Sequence, residues 1–106
     1  MGEKETAIEM IAQERRRQFD EEGYDAKHDD DYGHWDGEIA HAAAAYALGG
    51  GRIQNIGGDR VIEIWPTTWD EEGDTITRKP RIRQLVIAGA LIVAETERLQ
   101  RAESEH

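Results

Sequence analysis

The chain has 106 residues, which is enough for one domain with a single hydrophobic core and leaves no room for a second. Its net charge of −10 argues against direct binding to a nucleic-acid backbone, whereas an acidic surface suits cations, basic protein partners or solubility alone. The absence of cysteine excludes disulfides and thiolate metal sites. Neither a signal-peptide pattern nor a long apolar span occurs, so we expect a soluble, cytoplasmic protein without membrane contact.

A first helix is predicted over residues 4–22, which contain neither glycine nor proline. Its apolar residues recur near helical spacing: Ile8, Ile11, Ala12 and Phe19. Thr6 and Glu9 stand in the relation of a capping box near its start. The basic run 15–17 lies one to two turns before Glu21, which predicts ion pairs within the helix.

The acidic loop predicted over residues 23–35 is the most unusual part of the chain. Together with its flanks it holds nine carboxylates and one lysine, interleaved with aromatic and histidine side chains. A merely solvated acidic linker gains nothing from aromatic side chains, because such residues are useful where their area is buried or stacked. Tyr24, Tyr32 and Trp35 therefore predict an ordered loop and are candidate anchors of a protein interface.

A second helix is predicted over residues 36–48. Asp36 is suited to its N-cap position, and Glu38 then lies in the first turn, where a carboxylate interacts favourably with the helix dipole. The helix should stop at the glycines 49–51. Its run of four alanines would let a neighbouring helix approach closely.

Residues 49–79 are predicted to form an irregular insertion or a short β-hairpin. The segment 61–64 has β propensity, and the preceding residues 57–59 have the composition of a turn. Trp65 and Trp69 then flank a loop that we expect these two indoles to attach to the core.

A third helix is predicted over residues 80–101, with Pro80 at its first position and a frayed tail at 102–106. An apolar stripe follows the helical period and would permit self-association: Ile82, Leu85, Val86, Gly89, Ile92, Val93, Thr96 and Leu99. A mid-helix glycine costs about 1 kcal/mol relative to alanine, so Gly89 predicts a close crossing, against the alanines of the second helix. The expected fold is mainly α, with three principal helices packed as a small bundle and the insertion between the second and third.

A divalent-cation site is the first chemical possibility. Hard ions such as Mg²⁺ take oxygen ligands, and the nearby imidazoles would extend the choice to Mn²⁺. The candidate ligands are His28, Asp29, Asp30, Glu38 and His41. The same acids could equally cap a turn and complement the dipole of the second helix, and the sequence leaves both interpretations open.

Phosphate binding is the second possibility. Arg81 and Arg83 lie in a basic cluster at the start of the third helix, where the helix dipole adds to their positive field. The cluster could hold a phosphate group or pair with the acidic loop in an internal network of ion pairs. Nucleophilic catalysis has little support, because the chain has no cysteine and its one serine lies in the tail, so no catalytic residue is assigned.

Several short motifs are distributed over much of the chain. They are Gln13–Gln18, Glu22-Gly23-Tyr24, His28-Asp29-Asp30, Gly37–Ala40, Trp65-Pro66, Lys79-Pro80 and the stretch from Leu85 to Leu99. Together they resemble a family of small, mostly uncharacterised phage and prophage proteins. The resemblance implies an accessory protein of the host-cell cytoplasm and brings no assigned activity.

The stretch Gly37–Ala40 is also similar to a helix of the all-α nucleoside triphosphate pyrophosphohydrolases of MazG type. Those enzymes bind Mg²⁺ through a Glu-x-x-Glu and a Glu-x-x-Asp pair. In this chain the acid three residues before Glu38 is replaced by Trp35, and the second pair falls on Arg81 and Gln84.

Two functional hypotheses follow. In the first, a phage-type accessory protein binds a divalent cation, and with it a phosphorylated small molecule or nucleotide, through the acidic loop. In the second, the chain is a non-enzymatic, acidic protein-interaction module that docks on a basic host or phage protein, as an anti-defence binder would. A homo-oligomer is compatible with either hypothesis.

Overall fold

The computed structural model describes residues 5–21, 37–54, 61–66 and 73–104. The elements, in chain order, are α1 (Ala7–Glu21), α2 (Glu38–Leu48), β1 (Arg52–Gln54), β2 (Val61–Glu63), a 3₁₀ helix (Gly73–Arg78) and α3 (Arg81–Ser104). The expectation of a mainly helical fold with three principal helices is confirmed. The predicted loop 23–35 lies outside the described residues, and no helix within the described ranges is long and apolar enough to span a membrane.

The start of α1 is fixed by the predicted capping pair. The Thr6 hydroxyl oxygen accepts a hydrogen bond from the backbone N–H of Glu9 at 3.1 Å. The same hydroxyl donates to the Glu9 carboxylate at 3.0 Å. One of the N–H groups that the first turn leaves without an intrahelical acceptor is thereby satisfied.

The two ends of α2 are both set by glycine. The prediction that Asp36 caps α2 is wrong, because the N-cap residue is Gly37, with φ 74° and no side-chain capping bond. Glycine enters this left-handed conformation without steric cost, so the helix begins one residue later than an aspartate cap would require. At the other end Gly49, with φ 83°, donates to the carbonyls of Ala45 and Tyr46, and the helix ends before the glycines 49–51 at which the sequence predicted its stop.

The third helix is the centre of the fold, since the principal helix contacts are α2 with α3 and α1 with α3. The α2–α3 contact contains many small side chains beside a few large ones. Ala42, Ala43 and Ala45 of α2 are buried, together with Ala88 and Ala94 of α3. Short side chains let the two backbones approach closely, which agrees with the predicted role of the alanine run.

The insertion between α2 and α3 adds to this core. Strand β1 pairs antiparallel with β2, so that Ile53 lies opposite Ile62, in the segment for which the sequence left an irregular chain or a hairpin open. After β2, Trp65 is buried edge-to-face against Tyr46, with ring centroids 5.8 Å apart. The 3₁₀ helix then brings Ile76 into the core with no exposed surface. Trp69 lies outside the described residues.

The crossing partner of Gly89 differs from the prediction. A Cβ atom built at Gly89 would lie 2.7 Å from Cδ1 and 2.9 Å from Cγ1 of Ile11. The glycine therefore admits α1, and the expectation that it faces the alanines of α2 is wrong. Those alanines meet the opposite side of α3, on which Ile87 and Leu91 are also buried.

Candidate functional site

Only two of the five predicted cation ligands lie within the described residues. Glu38 and His41 lie one turn apart at the start of α2, where the acidic loop enters, whereas His28, Asp29 and Asp30 lie outside the described residues. The Nδ1 atom of His41 is 3.3 Å from the Ile64 carbonyl oxygen, so this imidazole also contacts the chain after β2. Within the described ranges no three His, Asp or Glu side chains come together as a metal site. The cation site stays a prediction that depends on the loop.

The predicted interface anchors Tyr24, Tyr32 and Trp35 also lie outside the described residues. Their role in a protein interface stays a prediction.

Arg81, one of the two predicted phosphate ligands, joins the end of α2 to the start of α3. Its guanidinium donates to the Ala47 carbonyl at 2.5 Å, and its Nη1 lies 3.5 Å from the Tyr46 carbonyl and 3.2 Å from Oε1 of Gln84. The last carbonyls of a helix lack intrahelical donors and carry partial negative charge, so a cation is favourable there.

The second predicted phosphate ligand, Arg83, belongs to a polar cluster between α1 and α3. Its Nη2 donates to Glu14 Oε1 at 2.5 Å, and Arg17 donates to both oxygens of the same carboxylate, at 2.9 and 2.7 Å. Gln18 Nε2 donates to Glu14 Oε2 at 3.2 Å. We call Glu14, Arg17, Gln18 and Arg83 the Glu14 cluster. Its carboxylate is shielded from water, since only 1% of the Glu14 side chain is exposed.

The ionisation of Glu14 is governed by these contacts. Burial alone would raise its pKa, because a low-dielectric environment disfavours the charged form. The hydrogen bonds and charges of Arg17 and Arg83 outweigh burial and hold the pKa of Glu14 below its ordinary value. The carboxylate is therefore ionised at neutral pH and forms a charged link between the two helices.

Sequence reasoning did not single out the Glu14 cluster, although a signal for it exists. Ile11, Glu14 and Gln18 are spaced by three and four residues, so they share the face of α1 that packs on α3. A carboxylate in such a position requires a cationic partner in the fold. The arginines 81 and 83 thus have described partners on α2 and α1, whereas the predicted pairing with the acidic loop lies outside the described residues.

The outer surface of α3 is a second feature of functional interest. Five large aliphatic side chains of this helix are between 37% and 67% exposed, and we call them the α3 stripe: Ile82, Leu85, Ile92, Val93 and Leu99. Val86, which belongs to the apolar pattern predicted from the sequence, is buried instead. The helix is apolar on more than one side, so one side enters the core and another remains on the surface.

No family model, curated protein or solved structure matches this chain. The resemblance to phage proteins and to the pyrophosphohydrolases therefore stays an expectation based on the short sequence motifs alone. At the positions where those enzymes carry their second acidic pair, Arg81 holds the end of α2 and Gln84 donates to the Ile76 carbonyl at 2.8 Å.

Proposed function

We propose that the protein is a non-enzymatic interaction module that presents its acidic loop to a basic surface of a protein partner. The observation that supports this function is the segregation of charge along the chain. α1 carries four acidic and three basic side chains and α3 carries three acidic and four basic ones, so the two helices together are neutral. Residues 22–36 carry six acidic side chains and one lysine, so this segment has a net charge of −5, half of the −10 of the whole chain.

The ion pairs of the described structure support the same function. Arg17 and Arg83 are bound to Glu14, Arg98 to Glu95 and Arg52 to Glu63. The charges of these arginines are therefore neutralised by carboxylates that lie beside them in the fold. A concentrated negative field accelerates encounter with a basic partner and rejects an acidic one. The interleaved aromatics Tyr24, Tyr32 and Trp35 would supply the anchors that charge alone does not provide.

The experiment is capture of a partner from host-cell lysate at low and high ionic strength. The test variant replaces Asp29, Asp30 and Asp31 by asparagine. The matched control removes the same number of carboxylates elsewhere, as Asp70→Asn, Glu71→Gln and Glu72→Gln. We expect salt-sensitive capture by the wild type and the control and its loss in the test variant. Capture that ignores salt, or that survives in the test variant, would contradict the proposal.

A cation site at the same loop is the second candidate function, and the position of Glu38 and His41 at the point where the loop enters α2 favours it. Asp29, Asp30 and His28 would complete the ligand set for Mg²⁺ or Mn²⁺, with a phosphorylated small molecule or nucleotide as the co-ligand. The phage origin and the cytoplasmic location implied by the resemblance remain part of both proposals.

The test of this candidate is a thermal melt of metal-stripped protein titrated with Mg²⁺, Mn²⁺ and Zn²⁺, with and without nucleoside triphosphates. A ligand that binds only the native state stabilises it by about 2.7 kcal/mol at a hundredfold excess over its dissociation constant. We expect saturable stabilisation by one ion, and its loss when Asp29, Asp30 and Glu38 are changed to alanine. An equal shift in that variant would show that the ion binds elsewhere.

A further inference from the structure

We propose that α3 is a dimerisation helix, which pairs antiparallel with α3 of a second copy about a two-fold axis at Ile92. This inference goes beyond the proposed function and depends on a different part of the molecule. It follows from the position of the α3 stripe, the order of residues along it and the distribution of charge.

Three residues of the α3 stripe follow one line along the helix, on the side of Gly89 away from α1. Successive residues of an α-helix are rotated by about 100°, so Leu85, Ile92 and Leu99, which are seven residues apart, follow almost the same line. All three are about half exposed. Ile11 of α1 meets α3 at Gly89, next to this line, and leaves these side chains uncovered. A seven-residue repeat of large aliphatic side chains is the pattern by which two helices pack together.

The order of residues along this line is symmetric about Ile92. Leu85 and Leu99 each lie seven residues from Ile92, and Arg81 and Glu103 each lie eleven residues from it. In an antiparallel pair centred at Ile92, Leu85 therefore faces the partner's Leu99, so each large side chain meets another large one.

The ends of the line carry opposite charges. Arg81 begins α3 and Glu103 lies in its last turn, so the same pairing sets Arg81 of one copy against the partner's Glu103. Both residues are exposed. A parallel pair about the same line would instead place like charges together, which is unfavourable. The charges therefore select the antiparallel arrangement, in which one surface is complementary to itself.

The size of the surface fits a weak dimer. At their observed exposures Leu85, Ile92 and Leu99 present roughly 250 Å² of apolar surface. Apolar atoms form about 60% of a typical interface, so the complete contact would reach roughly half of the ~800 Å² per partner of a standard complex.

The net charge of −10 does not oppose this contact, because α1 and α3 are neutral as a pair. Two copies can approach through this side while the acidic segments lie elsewhere in the chain. A strongly basic partner would gain no electrostatic attraction here, because α1 and α3 together carry no excess of acidic side chains. A second copy of the chain therefore matches this surface better.

The first test is sedimentation equilibrium of the full chain and of two glutamate variants. Ile92→Glu places two carboxylates across the proposed axis, and Leu48→Glu is the matched control, since Leu48 is 57% exposed on α2 and Ile92 is 55% exposed. We expect a dimer for the wild type and for Leu48→Glu. For Ile92→Glu we expect a dissociation constant raised on the order of a hundredfold, with an unchanged circular dichroism spectrum.

The second test uses the absence of cysteine to establish the register. With oxidised glutathione as the oxidant, Ile92→Cys should give a disulfide-linked dimer, because the two thiols meet at the axis. Leu85→Cys and Leu99→Cys should each remain uncrosslinked alone and should crosslink when the two variants are mixed. Leu48→Cys is the control that should not crosslink.

A monomeric wild type at high concentration would overturn the proposal, and so would a dimer that Ile92→Glu leaves intact. Crosslinking of Leu85→Cys with itself would reject the register about Ile92. A monomer whose partner capture is lost in Ile92→Glu and kept in Leu48→Glu would assign the stripe to a different protein. The acidic-loop variant at 29–31 should dimerise normally, so failure of the dimer and failure of the proposed function are distinguishable.

Discussion

The two helix contacts of α3 are held together by different physical means. Towards α2 the contact consists of alanines and larger aliphatic side chains, in which close approach gives the attraction. Towards α1 it contains the buried Glu14 carboxylate, bound by Arg17 and Arg83. The α2 side should therefore be sensitive to added volume and insensitive to pH, and the α1 side should be sensitive to loss of charge and to acid.

The largest effect is expected from added volume at the α2–α3 contact. Ala45 has no exposed surface, so Ala45→Leu must displace the facing helix, and we expect a loss of about 3 kcal/mol in the free energy of unfolding. Ala44 is exposed on the same helix, and Ala44→Leu should change stability by less than about 0.5 kcal/mol. Urea denaturation of both variants measures this difference. Equal effects would mean that the alanine contact is not closely packed.

The next largest effect is expected from removal of the carboxylate of the Glu14 cluster. Glu14→Ala leaves two arginines without their shared acceptor, which for a fully buried pair costs about 3–5 kcal/mol. Because Arg17 and Arg83 are partly exposed and can be hydrated, we expect about 2 kcal/mol. Gln13→Ala, an exposed position on the same helix, is the control for denaturant unfolding and should be nearly neutral. A neutral Glu14→Ala would show that the cluster adds no net stability.

A smaller effect is expected at the closest approach of α1 to α3. Gly89→Ala would gain about 1 kcal/mol of helix propensity, but its Cβ would lie 2.7 Å from Ile11 Cδ1. We expect the steric cost to exceed the gain and to leave a net loss of about 1 kcal/mol. In the Ile11→Ala background, where the obstructing atoms are absent, the same substitution should stabilise the protein. Thermal melts of the four variants measure this coupling, and a stabilising Gly89→Ala in the wild-type background would contradict the contact.

The smallest effect is the pH dependence of the α1 contact. The pKa of Glu14 is lowered in the folded state, so the stability it contributes is present above the ordinary glutamate pKa of about 4.3 and is lost as pH falls through the folded value. We expect the difference in stability between wild type and Glu14→Gln to shrink as the pH is lowered through this range. Denaturant titrations at several pH values measure it. A difference that stays constant would mean that Glu14 does not titrate with unfolding.

The elements of the fold were predictable because their signals are local. The helical period, the Thr6 cap and the stop at Gly49 each depend on residues close in the chain. The prediction of an Asp36 cap was wrong because Gly37 adopts a left-handed conformation and is itself the N-cap residue, which side-chain propensity does not reveal. The prediction that Gly89 faces α2 was wrong because either α1 or α2 could pack against this small residue, and spacing alone does not decide between the two helices.

The site was less predictable, because it depends on contacts between distant parts of the chain. Arg81 and Arg83 form a conspicuous cluster in the sequence, yet their bonding partners lie on α2 and α1, far away in the chain. The spacing of Glu14 and Gln18 did carry a signal, because it places a charged residue on the face of α1 that packs on α3. The exposed stripe could not be separated from the buried one, since α3 is apolar on several sides and only packing decides which side faces water.

The central position of α3 has a consequence for partial unfolding. Because α1 is joined to α3 partly through ion pairs and α2 through close packing, we expect α1 to detach while the α2–α3 pair stays intact. Such subglobal openings appear in native-state hydrogen exchange as contiguous groups of amides with a common, reduced free energy of opening. The amides of Ala7–Glu21 should form such a group and exchange before those of Glu38–Leu48. Acid should widen the gap between the two groups by weakening the Glu14 cluster alone.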